Sequence, residues 1–451
     1  MTLCFQYSII WKRGTGMLTG LELTRAMYQR AIQECSNRRK DETGRMLDYY
    51  NDSQLSYMMA DIQARYKFPE KINPVSLNLV KKIIHALAMV YLRDAVRSVD
   101  GTEQDKAILA EIETSAAMPV KMKQANRMAK LLGTILLRPV WRNGRMDLDV
   151  LTPDVLDVET GDTPHDLQAV QVTHYSPTGD ANEVTYSLWT PESVQIVDAN
   201  GRRVSEEENP YGCLPFVPCW GRPVSDFFWQ RGAADLILVQ DAVSRLLTQA
   251  AHTIDYQTSS VCFVKGMEGR TTDDLTLGPG SFVGLPSGGE IGFVSPQAAI
   301  EKIMAVVDYL MKQAAVTNGL PAATMNTEVT EESGVSRIVG NRELEEMRAD
   351  DVALFTEYER QLFDVFRTVW NVHNPDRQMS VDAVFQINFA DPKPSMTATE
   401  QISNWERLMG LGLASPVDII LERDPDLTRE EAKARLLMIR DEMAEFSTVR
   451  L

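Results

Sequence analysis

The sequence predicts an α+β chain, mainly helical, with a β-rich block in its first half and a small β module held between two long helices. Three observations carry this prediction. Apolar residues recur at three- and four-residue spacings over long stretches, the period of a helix buried on one face. Between about residues 136 and 220 that period gives way to short β-like runs with Asn-Gly pairs, the turn signal of hairpins. From Asp226 to Thr317, two strongly periodic helices flank the glycine-rich, β-like stretch Ser260–Gln297.

In chain order, residues 1–16 place Lys12 and Arg13 after an apolar run, the reverse of a secretory signal, so residues 1–17 are expected to be a flexible leader. From Leu18 to Leu132 the signal is helical. LNLVKKIIHALAMVYLRDAV sets Leu79, Ile83, Ala86, Leu87 and Val90 on one face, which predicts a helix over Asn78–Arg93. A helix from Asp105 to about Ser115 and another over Val120–Leu137 follow. The β-rich block carries Asn143-Gly144 and Asn200-Gly201, and closes with NPYGCLPFVPCWG, whose three prolines forbid a long helix.

A long helix is predicted from Asp226 to about Gln257, with Leu236, Val239, Val243, Leu246, Leu247, Ala250 and Ile254 on one face. Its counterpart begins at about Gln297, with Ile300, Ile303, Met304, Val307, Leu310, Met311 and Ala314 in register. The break at Asn318-Gly319-Leu320-Pro321 leads into a polar, acidic stretch. A helix of about 60 Å, at 1.5 Å per residue, then runs from Ser333 to about Asn371, keeping Phe355, Tyr358, Leu362, Val365, Phe366 and Val369 on one face. AVFQINFADP is one more strand. The rest is helical, and Thr428 with Glu431 fits a capping box.

The 451 residues carry 46 Lys+Arg against 63 Asp+Glu, a formal charge of −17 and a pI near 4.9. That balance argues against a protein that grips nucleic acid with a basic face. No apolar run reaches the roughly 18 residues of a membrane span. Cys4, Cys35, Cys213, Cys219 and Cys262 are scattered and odd in number, and read as reduced thiols in a cytosolic setting. The five histidines lie in no metal-ligand spacing, and no nucleophile motif appears. Neither a cofactor nor a metal is predicted.

One acidic grouping stands out. Between Gly319 and Arg360, Glu328, Glu331, Glu332, Glu343, Glu345, Glu346, Asp350, Asp351, Glu357 and Glu359 face only four arginines, a net of −6. Such a loop and helix suit a solvated surface, or the wall of a pore.

The order of elements resembles the portal proteins of tailed double-stranded DNA bacteriophages. LDYYNDSQ (Leu47–Gln54) followed by the Asn78–Arg93 segment is similar to the family's opening. NPYGCLPFVPCW resembles the stretch before its first stem helix, and the helix–β-module–helix unit at 226–316 resembles stem–clip–stem. NGLPAATMNTEVTEESGVSRIVGNRELEEMRADD looks like the tunnel loop and its helix, and GLASPVDIILERDPDLTREEAKARL like the crown-side helices. The likeness spans about residues 45–445 and rests on the order of these segments, none of which is a sharp motif alone.

The resemblance implies a non-enzymatic ring, usually of about twelve copies, at one capsid vertex. Double-stranded DNA would pass through it without tight binding, during packaging and ejection. The terminase large subunit and then a head-tail adaptor would dock on it, beside the major capsid and scaffolding proteins, with no membrane partner. Its place would be the virion, and the host cytoplasm during assembly.

The implied partition is a wing over 18–225, stem helices over 226–259 and 298–317, and a clip over 260–297. A tunnel loop over 318–332, a tunnel helix and return strand over 333–394 belonging to the wing, and a crown over 395–451 complete it. Asn318, Thr324, Met325, Asn326, Thr327, Glu328 and Thr330 are the expected channel-lining positions, with Gly319 and Pro321 as hinge. Arg270, Asp273, Asp274 and Glu290 are expected to face terminase and adaptor. The competing reading is a helix-rich cytosolic scaffold or adaptor that never contacts DNA; a third, a metal-dependent hydrolase, would use the acidic pairs.

Overall fold

The computed structural model describes residues 20–224, 226–258, 261–265, 290–294, 300–326, 342–389, 398–424 and 427–448. The expected leader lies outside them. The chain divides into two compact units, residues 1–327 with 343–390, and residues 328–342 with 391–451. Helix and strand are mixed as the α+β prediction requires.

The first unit opens with helices α1 (Gly20–Ala31), α2 (Glu34–Tyr50), α3 (Leu55–Arg65) and α4 (Leu79–Leu87). The predicted helix over Asn78–Arg93 is therefore too long: α4 stops at Leu87, and Val96–Asp100 is strand β1. Tertiary packing overrides the local period here. Val90 and Tyr91 are buried in the main core, and Tyr91 Oη donates to Glu359 at 2.7 Å, a contact that requires the chain to leave the helix.

Helix α5 (Glu103–Ser115) carries a Thr102–Asp105 capping box, and α6 (Met118–Leu132) follows. The helix predicted over Val120–Leu137 also overruns. Gly133, at φ +81°, ends α6, and its absent Cβ leaves room for the carbonyls of Gln230 and Arg231. Thr134 then opens β2 (Thr134–Arg142), which pairs with β3 (Arg145–Leu151) through a two-residue turn. Asn143 and Gly144 in that turn both have positive φ, as the type I′ geometry demands.

Strands β4 (Leu156–Thr160), β5 (Leu167–His174), β6 (Thr185–Trp189), β7 (Ser193–Val197) and β8 (Arg203–Glu208) form an antiparallel meander, and β9 (Val217–Trp220) joins the other side of β2. The β-rich block is thus two sheets, in the order β3-β2-β9 and β4-β5-β6-β7-β8. Helix α1 lies on the larger sheet, where Met27 packs with Ala169 and Leu188. The fully buried Asp157 of β4 accepts from Ser36, Arg39 and Lys40, at 2.6, 2.7 and 2.6 Å. Three donors offset the cost of burying that carboxylate.

The first long helix, α7, spans Ala234–Thr258 and not the Asp226 start predicted. The preceding residues form a strap across the core. The Phe228 carbonyl accepts from Trp220 Nε1 at 2.8 Å and from Thr134 Oγ1 at 3.1 Å. Gly232 lies so close to Leu131 and Leu132 that a Cβ would collide with their backbone. Strands β10 (Val261–Lys265) and β11 (Glu290–Val294) pair antiparallel, and α8 (Ile300–Val316) follows.

The longest described helix, α9 (Arg342–His373), measures about 48 Å at 1.5 Å per residue. Phe355, Tyr358, Leu362, Phe366 and Val369 are buried as its period predicts, and Val365 is half-buried. Strand β12 (Val384–Asn388) then returns to pair antiparallel with β1.

The second unit holds α10 (Ala398–Gly410), α11 (Pro416–Arg423) and α12 (Arg429–Thr448). The predicted capping box is present, with Glu431 accepting from the Thr428 amide at 2.8 Å and the Glu431 amide donating to Thr428 Oγ1 at 3.3 Å. Among the described residues of this unit only Val417 and Ala432 are fully buried apolar side chains.

Candidate functional site

The loop after α8 is built from its backbone outward. The Gly319 amide donates to the Val316 carbonyl (3.1 Å) and the Leu320 amide to that of Ala315 (3.0 Å), the two bonds of a Schellman motif. Gly319 sits at φ +72°, which only glycine adopts cheaply. Asn318 closes the corner by donating from Nδ2 to the Ala314 carbonyl at 2.9 Å. Leu320 is buried in the main core, and Pro321 begins a tight turn over Ala322–Met325. The helix stops before Pro321, at a fastened corner.

The predicted lining residues separate at this point. Asn318, Thr324 and Asn326 are half-buried. Met325 is 2% exposed and belongs to the main core, so its assignment to a channel surface is corrected: an apolar thioether flanked by a tight turn packs inward. Ala322 and Ala323 are the exposed residues of the turn, and their small side chains gave no signal in the sequence. Thr327, Glu328 and Thr330 lie outside the described residues, as do Arg270, Asp273 and Asp274. Glu290 opens β11 opposite Lys265 and is exposed.

The acidic segment also divides. Glu343, Glu345, Glu346, Asp350 and Glu357 are exposed on α9. Asp351 and Glu359 are not surface charges. Asp351 accepts from Lys130 at 2.7 Å, and burial pushes its carboxyl above the ordinary range despite that partner. Glu359, 1% exposed, accepts from Arg97 Nε at 2.9 Å, Arg97 Nη2 at 2.6 Å and Tyr91 Oη. Burial alone would lower the Arg97 pKa, and the Glu359 hydrogen bonds and charge reverse that to a net rise. The charge available to a bore is thus smaller than the sequence count. These two carboxylates instead fix α9 in the core, aided by Tyr358, whose Oη accepts from the Trp220 amide at 3.2 Å.

A second polar joint ties α2 to α7. Tyr49 Oη donates to Asp241, which also accepts from Arg45 at 2.8 Å. Burial, reinforced by the Asp241 carboxylate, raises the Tyr49 pKa to about 12. Its neighbour Tyr50 pairs through Oη with His85 Nε2 at 2.8 Å.

On α7 and α8, Val239, Val243, Leu246 and Leu247 pack with Val307, Leu310 and Met311. Away from that seam Leu238 is 67% and Tyr309 61% exposed, and Ile254, Met304, Val306 and Val316 are also exposed, interspersed with Asp235, Gln249, Glu301, Lys302, Asp308 and Gln313. Ile254 and Met304, predicted on the inward faces, belong to this outer surface.

Residues 29–445 match the model of the phage portal protein family, SPP1 Gp6-like. The chain belongs to that family. No curated protein matches the sequence significantly. Three solved chains from gene transfer agent particles are similar in backbone. One, from the neck of an empty particle computed with C6 symmetry, has TM-score 0.48 at 11% identity, covering 79% of this chain and 92% of its own. One from the virion of the native particle has TM-score 0.44 at 12% identity, with coverages of 81% and 91%. One from the native neck computed with C12 symmetry has TM-score 0.43 at 11% identity, with coverages of 75% and 88%. Among the described residues of this family member, no helix is long and apolar enough to cross a membrane.

Proposed function

We propose that this chain forms a closed ring of about twelve copies at one vertex of a phage capsid, the channel through which double-stranded DNA is packaged and ejected. The observation that carries the reading, beyond family membership, is the exposure of apolar side chains on α7 and α8. Leu238, Met304, Val306 and Tyr309 stand exposed on this helix pair and no described residue of the chain covers them. Large apolar side chains left exposed on one helix pair suit an interaction site, and cyclic repetition would cover them in every copy.

In this reading α7 and α8 are the stem, and the β10–β11 module is the clip, which docks the terminase and afterwards the head-tail adaptor. The second unit is the crown. Asn318, Thr324, Asn326, Thr327, Glu328 and Thr330 line the bore, with Gly319 and Pro321 at its corner. The net charge of −17 suits a conduit. Strong cationic contacts to phosphates would hold the DNA by counterion release, whereas an acidic wall is felt only weakly across the roughly 8 Å screening length of physiological salt. The chain supplies a passage and no chemistry.

Negative-stain imaging and light scattering of the purified chain are expected to show a hollow ring. A monomer or dimer would favour the scaffold reading and defeat this one. Replacing Glu328, Glu331 and Glu332 together with Lys is expected to leave the ring intact and to slow or stall DNA packaging in an in vitro assay. Normal packaging by that variant would contradict the acidic wall.

A further inference from the structure

In this acidic chain, α4 and α6 build a cationic surface. Helix α4 buries Leu79, Val80, Ile83 and Ile84, and α6 buries Met118, Met122, Ala125 and Ala129. The remaining faces leave Lys82 exposed and Lys121, Lys123 and Arg127 half-exposed. Among the described residues none of these four forms an ion pair; their neighbour Lys81 reaches Asp52 at 3.5 Å. His85 reports the resulting field. Burial, followed by the charges of Arg127, Lys81 and Lys123, lowers its pKa, and no carboxylate opposes them.

The same chain carries a complementary surface. Glu343, Glu346 and Asp350 are exposed on α9 at spacings of three and four, so they share one face. Ala349 and Ala353 are exposed beside them, which keeps that face low enough for another helix pair to approach. Within the chain, α6 and α9 are already joined by Lys130 and Asp351, one turn beyond Arg127.

We infer that the α4–α6 surface of one subunit, through Lys82, Lys123 and Arg127, seats against Glu343, Glu346 and Asp350 of α9 in the adjacent copy. The inference rests on the ring proposed above and names one contact within it. A ring interface joins two different patches of the same chain, and opposite charges there set register and association rate. The competing occupant of a cationic surface is DNA phosphate, which the test separates.

The experiment uses the full chain and native mass spectrometry across a protein dilution series. The variant K82E/K123E is expected to raise the half-assembly concentration about tenfold, with a larger shift at low salt. E343K/D350K is expected to do the same, and the two sets combined to restore assembly. Thermal melting of the dissociated subunit separates misfolding from lost contact, and the milder K82Q/K123Q keeps the test usable if reversal unfolds the chain. Unchanged assembly in the reversal variants overturns the inference, as does failure of the combined set to rescue. Intact rings that lose retention of a double-stranded DNA fragment would assign the surface to DNA and overturn it too. A wild-type chain that stays monomeric defeats the ring reading itself, an outcome visible before any variant is made.

Discussion

The core around α9 and the α7–α8 pair, the wing and the stem of the proposed reading, both lie within the first unit and solve opposite problems. In the wing, α9 buries the rings of Phe355, Tyr358, Phe363, Phe366 and Trp370 and adds paired charges: Glu359 with Arg97 and Tyr91, and Asp351 with Lys130. In the stem, α7 and α8 bury one stripe and leave Leu238, Met304, Val306 and Tyr309 exposed. A self-contained body can afford groups that must be satisfied internally, because no partner has to arrive first. On the proposed reading, a surface that repeats around a ring stays apolar and non-directional, so that each copy fits the next, and the wing would be finished as a monomer while the stem would not.

The largest expected effect tests the wing. Glu359→Ala takes two charge-assisted hydrogen bonds from the buried Arg97, leaving it its longer pair with Glu113 at 3.2 Å, and should cost about 3 kcal/mol, seen as a reduced urea midpoint of the dissociated subunit. A loss within experimental error would mean that the pair does not anchor α9. Next comes the junction between the regions. Gly319→Ala forces a side chain into positive φ and pushes its Cβ against Met347, which can partly yield. A cost of about 1–2 kcal/mol is expected, and a neutral result would show that the corner is looser than its two hydrogen bonds suggest.

A smaller, pH-dependent effect sharpens the wing side. Burial would raise the Asp105 carboxyl, but the Ser380 and Thr102 amides and the Thr102 hydroxyl hold it below the ordinary range. Its folded pKa is depressed, so its contribution is present above the unfolded value and lost as pH falls through the folded one. The stability gap between wild type and Asp105→Asn should shrink below about pH 4, and a gap independent of pH would refute that assignment. The smallest effect on the fold belongs to the stem. Leu238→Ser with Tyr309→Ser should alter subunit stability by no more than about 0.5 kcal/mol per site, while abolishing ring assembly in light scattering. Intact rings would collapse the distinction between the two regions.

What the sequence disclosed follows the same division. Local rules were legible: Asn143-Gly144 formed its turn, Thr428 and Glu431 their box, and the second half of α9 its buried face. Long-range demands were not. The end of α4 at Leu87 was hidden by a helical period that runs on, because Tyr91 answers to Glu359, which is 268 positions away. The two buried acids did leave a trace. Asp351 and Glu359 fall four residues on either side of Phe355, on the apolar face, so a carboxylate in that register signals a buried partner and not a solvated surface. Met325 and the alanines beside it left none, since a tight turn decides their direction after the helix ends. For the candidate site, the corner at Gly319 was readable from Asn-Gly-Leu-Pro, whereas its inward and outward positions depended on the core below.

The pairing of β1 with β12 sets an order of events at synthesis. Asp100 and Val384 lie side by side although 284 positions separate them, so the sheet that closes the wing waits until nearly the whole chain has left the ribosome. Closure over so long an insertion adds little entropic cost, because that cost grows only logarithmically with length. Timing is affected more than stability. Helices α7 and α8 are made, with Leu238 and Tyr309 uncovered, before the body that carries them is complete, and nascent chains in that interval are the ones most exposed to premature association.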